Sequence, residues 1–254
     1  MRKTLIVAAL AGGVALTGCK TMDTSNIGGM MDTGATAMKA LTLSDSDVVA
    51  LSNDSCQAMD AENKIAPAGS KYTQRLNKVI ANMPKDIEGK KAVYKVYLTS
   101  DVNAWAMANG CIRVYSGLMD LMNDDELRGV IGHEIGHVAL GHSKKAMQTA
   151  YAASAARSAA ASSSGALGSL SRSQAGELGE KFLNAQFSQS QESDSDNYAF
   201  DLLTKQKMER KGLVTAFQKL AKLSGGKTGS SMLSSHPPSE DRAKRMQERL
   251  DGKK

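Results

Sequence analysis

Two of the four histidines of the chain stand four residues apart, in the run His133-Glu134-Ile135-Gly136-His137. Positions i and i+4 of a helix project from the same face, so both imidazoles could bind one zinc ion. Zinc lowers the pKa of a bound water towards about 7, and Glu134 is placed to take the proton of that water. The alternative is a surface helix with two unrelated histidines. The amphipathic pattern around the run disfavours this alternative, because idle paired histidines on a buried face would be costly.

A catalytic zinc site needs a third protein ligand and an open position for water. His142 lies one residue short of the metzincin spacing, and we interpret it as a last-turn residue of the same helix, where a positive charge is favourable. Glu192 and Asp196 lie four residues apart in a later helical segment and share a face. One of them could bind metal while the other orients a ligand imidazole. On spacing alone, a solvated acidic patch is an equally good interpretation.

The N-terminus predicts export and a lipid anchor. A positive start, Met1-Arg2-Lys3, precedes an apolar run over 5–16, which is shorter than the roughly 20 residues of a membrane-spanning helix. The run ends in Leu16-Thr17-Gly18-Cys19, which resembles a bacterial lipobox with cleavage before Cys19 and acylation of that residue. An ordinary signal peptide that contains a cysteine is the weaker alternative. Lys20 follows instead of Asp, which by resemblance to sorted lipoproteins indicates the periplasmic face of the outer membrane.

Composition limits the class of protein. A chain of 254 residues with 41% hydrophobic and 23% charged residues is neither wholly disordered nor a multi-span membrane protein. Without Arg2 and Lys3, 30 basic residues face 26 acidic ones, so the formal charge falls from +6 to +4. The basic residues are scattered among acids and are not interleaved with aromatic ones, so nucleic-acid binding is not expected.

The remaining cysteines, Cys56 and Cys111, form an even pair once Cys19 is assigned to the anchor. In an oxidising compartment such a pair predicts a disulfide, and two buried thiols are the alternative. We divide the chain into a signal peptide over 1–18, a lipidated flexible tether over 19–40 and one folded domain over 41–254.

Periodicity predicts an α+β fold. Helical patterns cover about 44–59, 72–83, 124–138, 174–208 and 213–223, followed by a last charged helix. Strand-like patterns cover 92–98, 102–108 and 111–115, with Asn109-Gly110 as a two-residue hairpin turn. We expect a mainly helical domain with a small antiparallel sheet beside the helix that carries His133. The Ala/Ser tract over 150–171 is too polar to cross a membrane.

Taken together, these segments resemble the HtpX-like, CAAX-endopeptidase-type family of gluzincin zinc metallopeptidases. The resemblance covers nearly the whole mature chain. Its most specific parts are Asn103 to Ala106, Ile112 to Leu118, His133 to His142, Glu192 to Asp196, and His236-Pro237.

This resemblance implies a zincin-type metalloprotease domain over 41–254 with one zinc ion per chain. It implies that His133, His137 and Glu192 bind the zinc, that Glu134 is the general base, and that Asp196 lies beside the ligands. The chain departs from the family at Ser195, where relatives usually have Ala, and at Asp194, which often aligns with Glu. Neither change touches an expected ligand, so they bear on local packing.

Two further segments acquire roles from the resemblance. Asn103, Ala104, Trp105 and Ala106 correspond to an edge strand that pairs with an extended substrate. His236 corresponds to a histidine that approaches the metal and blocks the site in some relatives. Stabilising the tetrahedral oxyanion is a second role for His236. A histidine packed beside prolines at the start of a helix is the third interpretation.

The leading prediction is a zinc endopeptidase that cleaves misfolded or unassembled envelope proteins. Its expected partners are unfolded protein substrates, the outer membrane and other envelope proteins. The first alternative is a chaperone-like binding or assembly lipoprotein with a latent, plugged zinc site. A purely structural zinc lipoprotein is the second alternative, and Glu134 disfavours it because structural sites need no base.

Overall fold

The computed structural model describes residues 42–157, 170–224, 235–236 and 240–253. The predicted signal peptide, the tether and the anchor residue Cys19 lie outside these ranges, and so does the middle of the Ala/Ser tract. Within the described ranges, no helix combines the length and apolar character needed to cross a membrane.

Helices make up most of the described chain, and the strands cluster in its first half. The helices are α1 (Asp45–Glu62), α2 (Lys71–Val79), α3 (Ser116–Leu121), α4 (Asp124–Ala139), α5 (His142–Arg157), α6 (Arg172–Leu183), α7 (Gln189–Lys205), α8 (Lys211–Ser224) and α9 (Glu240–Leu250). The strands are β1 (Asp86–Ile87), β2 (Lys90–Lys91), β3 (Val93–Tyr97), β4 (Ala104–Ala106) and β5 (Cys111–Tyr115). The α+β prediction is therefore confirmed.

The main sheet has three strands in the order β3-β5-β4, so β4 lies at an edge. β4 pairs with β5 antiparallel, with Ala104 opposite Val114, whereas β3 pairs with β5 in parallel, with Val93 opposite Cys111. This three-stranded sheet is thus mixed, whereas β1 and β2 form a separate two-stranded antiparallel sheet. Side chains alternate with a period of two in both kinds of pairing, so the sequence pattern does not distinguish them.

The hairpin between β4 and β5 is present, but its loop has three residues instead of two. Met107 N–H donates to the carbonyl of Cys111 at 2.9 Å, and Gly110 N–H donates to the carbonyl of Met107 at 3.0 Å. Gly110 has φ of +83°, and a Cβ there would lie 2.5 Å from the carbonyl oxygen of Lys91. Glycine is therefore required, as in three-residue hairpins that close with a left-handed residue.

The apolar core has two parts. The larger part surrounds α4, which packs between the sheet and the helices α7 and α8. The smaller part lies under α1 and contains Tyr97, Trp105, Met107, Leu178 and Phe182. Because α4 is covered on both sides, polar side chains on its central turns are withdrawn from water.

The predicted disulfide is present and joins Cys56 on α1 to Cys111 at the start of β5. Beside it, the buried guanidinium of Arg113 donates to both carboxylate oxygens of Asp60, at 2.7 and 2.9 Å. The covalent bond and this ion pair both connect α1 to the central strand of the sheet.

Candidate metal centre

Local sequence signals place the two helices that carry the site. α4 begins with a capping box, in which Asn123 accepts from the N–H of Glu126 at 2.9 Å and Glu126 accepts from the N–H of Asn123 at 2.8 Å. α7 begins with the same motif, formed by Ser188 and Gln191. The caps fix where each helix begins, and the buried residues of each helix define the face that is turned inward.

α4 and α7 approach each other closely at Gly136. A Cβ at this position would lie 3.1 Å from the Cα of Ser195 and 3.2 Å from the Cβ of Tyr198. The missing side chain lets α7 pack directly against α4. Glu192 thereby reaches the two histidines of the neighbouring helix.

His133, His137 and Glu192 meet in the interior. The Nε2 atoms of the two histidines are 3.0 Å apart, and His137 Nε2 lies 3.3 Å from Glu192 Oε1. Glu192 is 3% exposed and Asp196 is 0% exposed. The interpretation of these two carboxylates as a solvated acidic patch is therefore wrong.

His236 joins the same cluster. Its Nδ1 lies 3.0 Å from Glu192 Oε1 and 3.3 Å from His133 Nε2, while its Nε2 lies 3.6 Å from an oxygen of Glu134. The structure thus brings together four residues able to bind a metal, with ligand atoms within 4.8 Å of one another. The interpretation of His236 as a histidine packed only beside prolines does not account for these contacts.

The ligand set fits a divalent metal ion. Asp196 lies 2.9 Å from His133 Nδ1, so this nitrogen carries the proton and His133 Nε2 presents a lone pair. That lone pair meets a second imidazole and a carboxylate oxygen, and a cation relieves the resulting repulsion. Atoms bound to one zinc ion at about 2.0–2.1 Å in a tetrahedron are about 3.3 Å apart. The observed separations of 3.0 and 3.3 Å are close to this value.

Arg242 is a residue of the site that sequence reasoning missed. From α9 its guanidinium donates to both oxygens of Asp196, at 2.6 and 2.9 Å, and it lies 2.5 Å from Glu192 Oε2. Its carbon Cζ lies 4.3 Å from the ring centre of Phe217. One buried cation thus contacts two carboxylates. Its sequence signal was weak, because Arg242 belongs to a helix rich in other charged residues.

His142 is not in the last turn of the HExxH helix, contrary to our interpretation. α4 ends at Ala139, Gly141 turns the chain with φ of +74°, and His142 begins α5. The Nδ1 of His142 lies 3.1 Å from His137 Nδ1 and 3.2 Å from the hydroxyl of Ser195. The helix break therefore redirects His142 towards the site.

Burial and neighbouring charges set the protonation of the site. Burial raises the pKa of Glu134, which favours the uptake of a proton by this carboxylate. Burial lowers the pKa of His137 well below its usual value. Burial would raise the pKa of Glu192, but the neighbouring imidazoles of His236 and His133 outweigh it and hold that pKa far below its usual range.

A narrow slot of about 10 Å³ runs between β4 and these residues. Asn103, Trp105 and Glu134 line it, and each has one buried polar atom without a hydrogen-bond partner among the described residues. On the other side, Phe187 stacks on the His137 ring at 3.9 Å between centres. The backbone N–H of Phe187 donates to the carbonyl of Ser235 at 3.2 Å.

The edge of β4 that does not pair with β5 borders this slot, and Ala104 and Ala106 are buried there. In the antiparallel ladder, Tyr115 N–H donates to Asn103 and Met107 N–H donates to Cys111. By the alternation of such a ladder, the N–H and C=O groups of Ala104 and Ala106 point away from β5. No other strand of the described ranges pairs with this edge of β4.

An edge strand beside a buried His-Glu-x-x-His helix, with a further carboxylate from a second helix, is the arrangement of zincin-type metallopeptidases. The sequence comparison gives the same class: peptidase family M48 matches residues 70–250, and the chain belongs to this family. The resemblance stated from the motifs is thereby confirmed, and the protein is a metalloprotease.

Full-length relatives support this assignment. The chain is 50% identical to the metalloprotease LoiP and 49% identical to the metalloprotease YcaL, both of Escherichia coli strain K12, and each alignment covers 98% of both chains. A shorter alignment of 70 residues links it to the protease HtpX of Shewanella baltica, with 36% identity over 26% of this chain and 24% of that protein.

Proposed function

We propose that the protein is a zinc endopeptidase that hydrolyses peptide bonds in misfolded or unassembled envelope proteins at the periplasmic face of the outer membrane. One observation carries the catalytic part of this proposal. Glu134 is buried between the metal-binding cluster and the slot along β4, and its Oε1 lacks a hydrogen-bond partner among the described residues. A structural metal site needs no such carboxylate.

In the proposed mechanism, His133, His137 and Glu192 hold the zinc ion. When bound, zinc supplies a Lewis acid that polarises the scissile carbonyl and makes water more acidic. Glu134 takes the proton from the attacking water as the water oxygen bonds to the carbonyl carbon. It then passes that proton to the amide nitrogen as the C–N bond breaks. The raised pKa of Glu134 favours the first of these steps, the uptake of the proton from water.

The edge strand supports an unfolded polypeptide as substrate. Backbone pairing with Ala104 and Ala106 binds any extended chain with little dependence on its side chains. The carbonyl of Ala106 already accepts from the Ser143 hydroxyl at 2.8 Å, so Ala104 carries most of this pairing.

Location and anchoring are supported by the sequence alone. The run Leu16 to Cys19 and the following Lys20 indicate an acylated protein of the outer membrane. The Cys56–Cys111 disulfide agrees with an oxidising compartment. A palmitate label on the parent chain and its loss in Cys19→Ala would test the anchor separately from catalysis.

The catalytic proposal is tested with the full-length chain in detergent and a reduced, carboxymethylated model protein as substrate. We expect the parent to degrade it and Glu134→Gln to lose at least about 10³-fold in rate, the scale set by removing proton transfer. Both should hold equal zinc, measured by atomic absorption. Degradation of the substrate by the parent and by Glu134→Gln at the same rate would contradict the role of Glu134.

A second candidate function rests on His236. Its Nδ1 lies among the metal-binding atoms, at 3.0 Å from Glu192, and could occupy the position that water needs. The protein would then be a binding or assembly factor with a latent site. If His236→Ala degrades the model protein faster than the parent at equal zinc, His236 is a plug. A severe loss of rate would instead favour the oxyanion role.

A further inference from the structure

The two expected imidazole ligands have different partners on their outer nitrogens. His133 Nδ1 faces the carboxylate of Asp196 at 2.9 Å, whereas His137 Nδ1 faces the Nδ1 of His142 at 3.1 Å. We propose that His142 is a positioning residue that accepts the Nδ1 proton of His137 and so directs His137 Nε2 to the metal. This inference rests on the proposal that His137 binds the metal.

The positions of the protons follow from ligand chemistry. An imidazole that binds metal through Nε2 carries its proton on Nδ1, and that N–H needs an acceptor. His142 Nδ1 lies within hydrogen-bond distance of it, so this nitrogen must be unprotonated. His142 therefore carries its proton on Nε2. A neutral acceptor adds no further negative charge to a buried site that already contains three carboxylates, Glu134, Glu192 and Asp196.

The chain geometry is arranged for this contact. On a continuous helix, residues five positions apart point about 140° away from each other, so His142 could not face His137. The chain instead ends α4 and turns at Gly141, whose φ of +74° favours glycine. The next residue after His142, Ser143, anchors the new helix by donating to the carbonyl of Ala106.

Two substitutions of similar size separate this role from simple packing. Asn places its side-chain oxygen near the position of His142 Nδ1 and keeps an acceptor, whereas Leu fills similar space without one. We expect His142→Leu to weaken zinc binding 10- to 100-fold and His142→Asn to recover most of that loss. Ser195→Ala removes the hydroxyl that also contacts His142 Nδ1. We expect this variant to lose less than about threefold in zinc affinity, because a neutral hydroxyl contact contributes little net free energy.

The measurement is the zinc dissociation constant of each full-length variant, by competition with a chromogenic chelator. The visible spectrum of the cobalt-substituted protein reports ligand geometry, and thermal unfolding of the metal-free protein reports the fold. A shifted cobalt spectrum in His142→Leu that reverts in His142→Asn supports the proposal. Equal zinc binding by the Leu and Asn variants would overturn it, as would a loss in Ser195→Ala as large as in His142→Leu.

The outcome is independent of proteolysis. If the parent does not cleave the model protein while His142→Leu still binds zinc more weakly than His142→Asn, the proposed function fails and the positioning role stands. If the parent cleaves and the two variants bind zinc equally, the positioning role alone fails.

Discussion

The hydroxyl of Ser143 donates a hydrogen bond of 2.8 Å to the backbone carbonyl of Ala106. This bond joins the first turn of α5 to the edge strand β4. Because His142 precedes Ser143 and contacts His137, the same turn touches both the metal centre and the strand expected to bind substrate. The position of β4 relative to the metal-binding cluster is thus tied to one helical turn.

Removing this bond should weaken both the fold and the edge strand. Ser143 is fully buried, so Ser143→Ala leaves the carbonyl of Ala106 without its donor, which costs about 1–3 kcal/mol of unfolding free energy. Urea unfolding at neutral pH measures this loss. An unchanged midpoint would show that water replaces the hydroxyl without penalty.

Gly132 and Gly136 of the HExxH helix differ in the space that each leaves for a side chain. A Cβ at Gly136 would lie 3.1 Å from backbone atoms of Ser195, whereas a Cβ at Gly132 would meet Ala199 at an ordinary 3.4 Å. Gly136→Ala should push α7 outward and move Glu192 away from the histidines, so we expect zinc binding to weaken by about tenfold or more. Gly132→Ala serves as the control and should change zinc binding little. Zinc titration against a chelator compares the two. Similar affinities in both variants would contradict close packing at Gly136.

The ion pair of Asp60 predicts how stability depends on pH. Burial alone would raise the pKa of Asp60, but hydrogen bonds from Arg113, Lys95 and Tyr97 outweigh it and hold the pKa below the usual 3.8. A lowered folded-state pKa contributes stability above pH 3.8, and this contribution is lost as the pH falls through the folded value.

We therefore expect Asp60→Asn to be less stable than the parent by about 3 kcal/mol at pH 6, because it leaves the buried charge of Arg113 unpaired. The difference between the two should shrink as the pH falls from 4 towards 2. Urea unfolding of both chains across this range provides the test. A stability difference that grows as the pH falls would contradict the expected direction of the pH dependence.

The disulfide should stabilise the smaller core. Cys56 and Cys111 are 55 residues apart, and closing a loop of this length contributes about 2–4 kcal/mol by restricting the unfolded chain. The double variant Cys56→Ala/Cys111→Ala should lose that amount in urea unfolding. A reducing agent should lower the stability of the parent and leave the double variant unchanged. If the reducing agent destabilised the parent and the double variant equally, its effect would not come from the Cys56–Cys111 disulfide.

Much of the site could be predicted because its spacing lies within single helices. The i, i+4 relation places His133 with His137, and Glu192 with Asp196, whatever surrounds the helices. The position of the hairpin turn was also predictable, since Gly110 tolerates a left-handed backbone that other residues avoid, but the two-residue length predicted for its loop was wrong. The sequence alone therefore determined the HExxH pair, the carboxylate pair, the cysteine pair and the α+β class.

Contacts between elements were decided by the tertiary structure. Whether Glu192 lies in water or beside His137 depends on how closely α7 approaches α4 at Gly136. The roles of Arg242 and His142 depend on a separate helix and on a chain reversal at Gly141. The alternation of side chains along β3 also does not reveal that this strand pairs with β5 in parallel. Periodicity reports which face of an element is buried, whereas the partner on that face is selected by packing between segments distant in the chain.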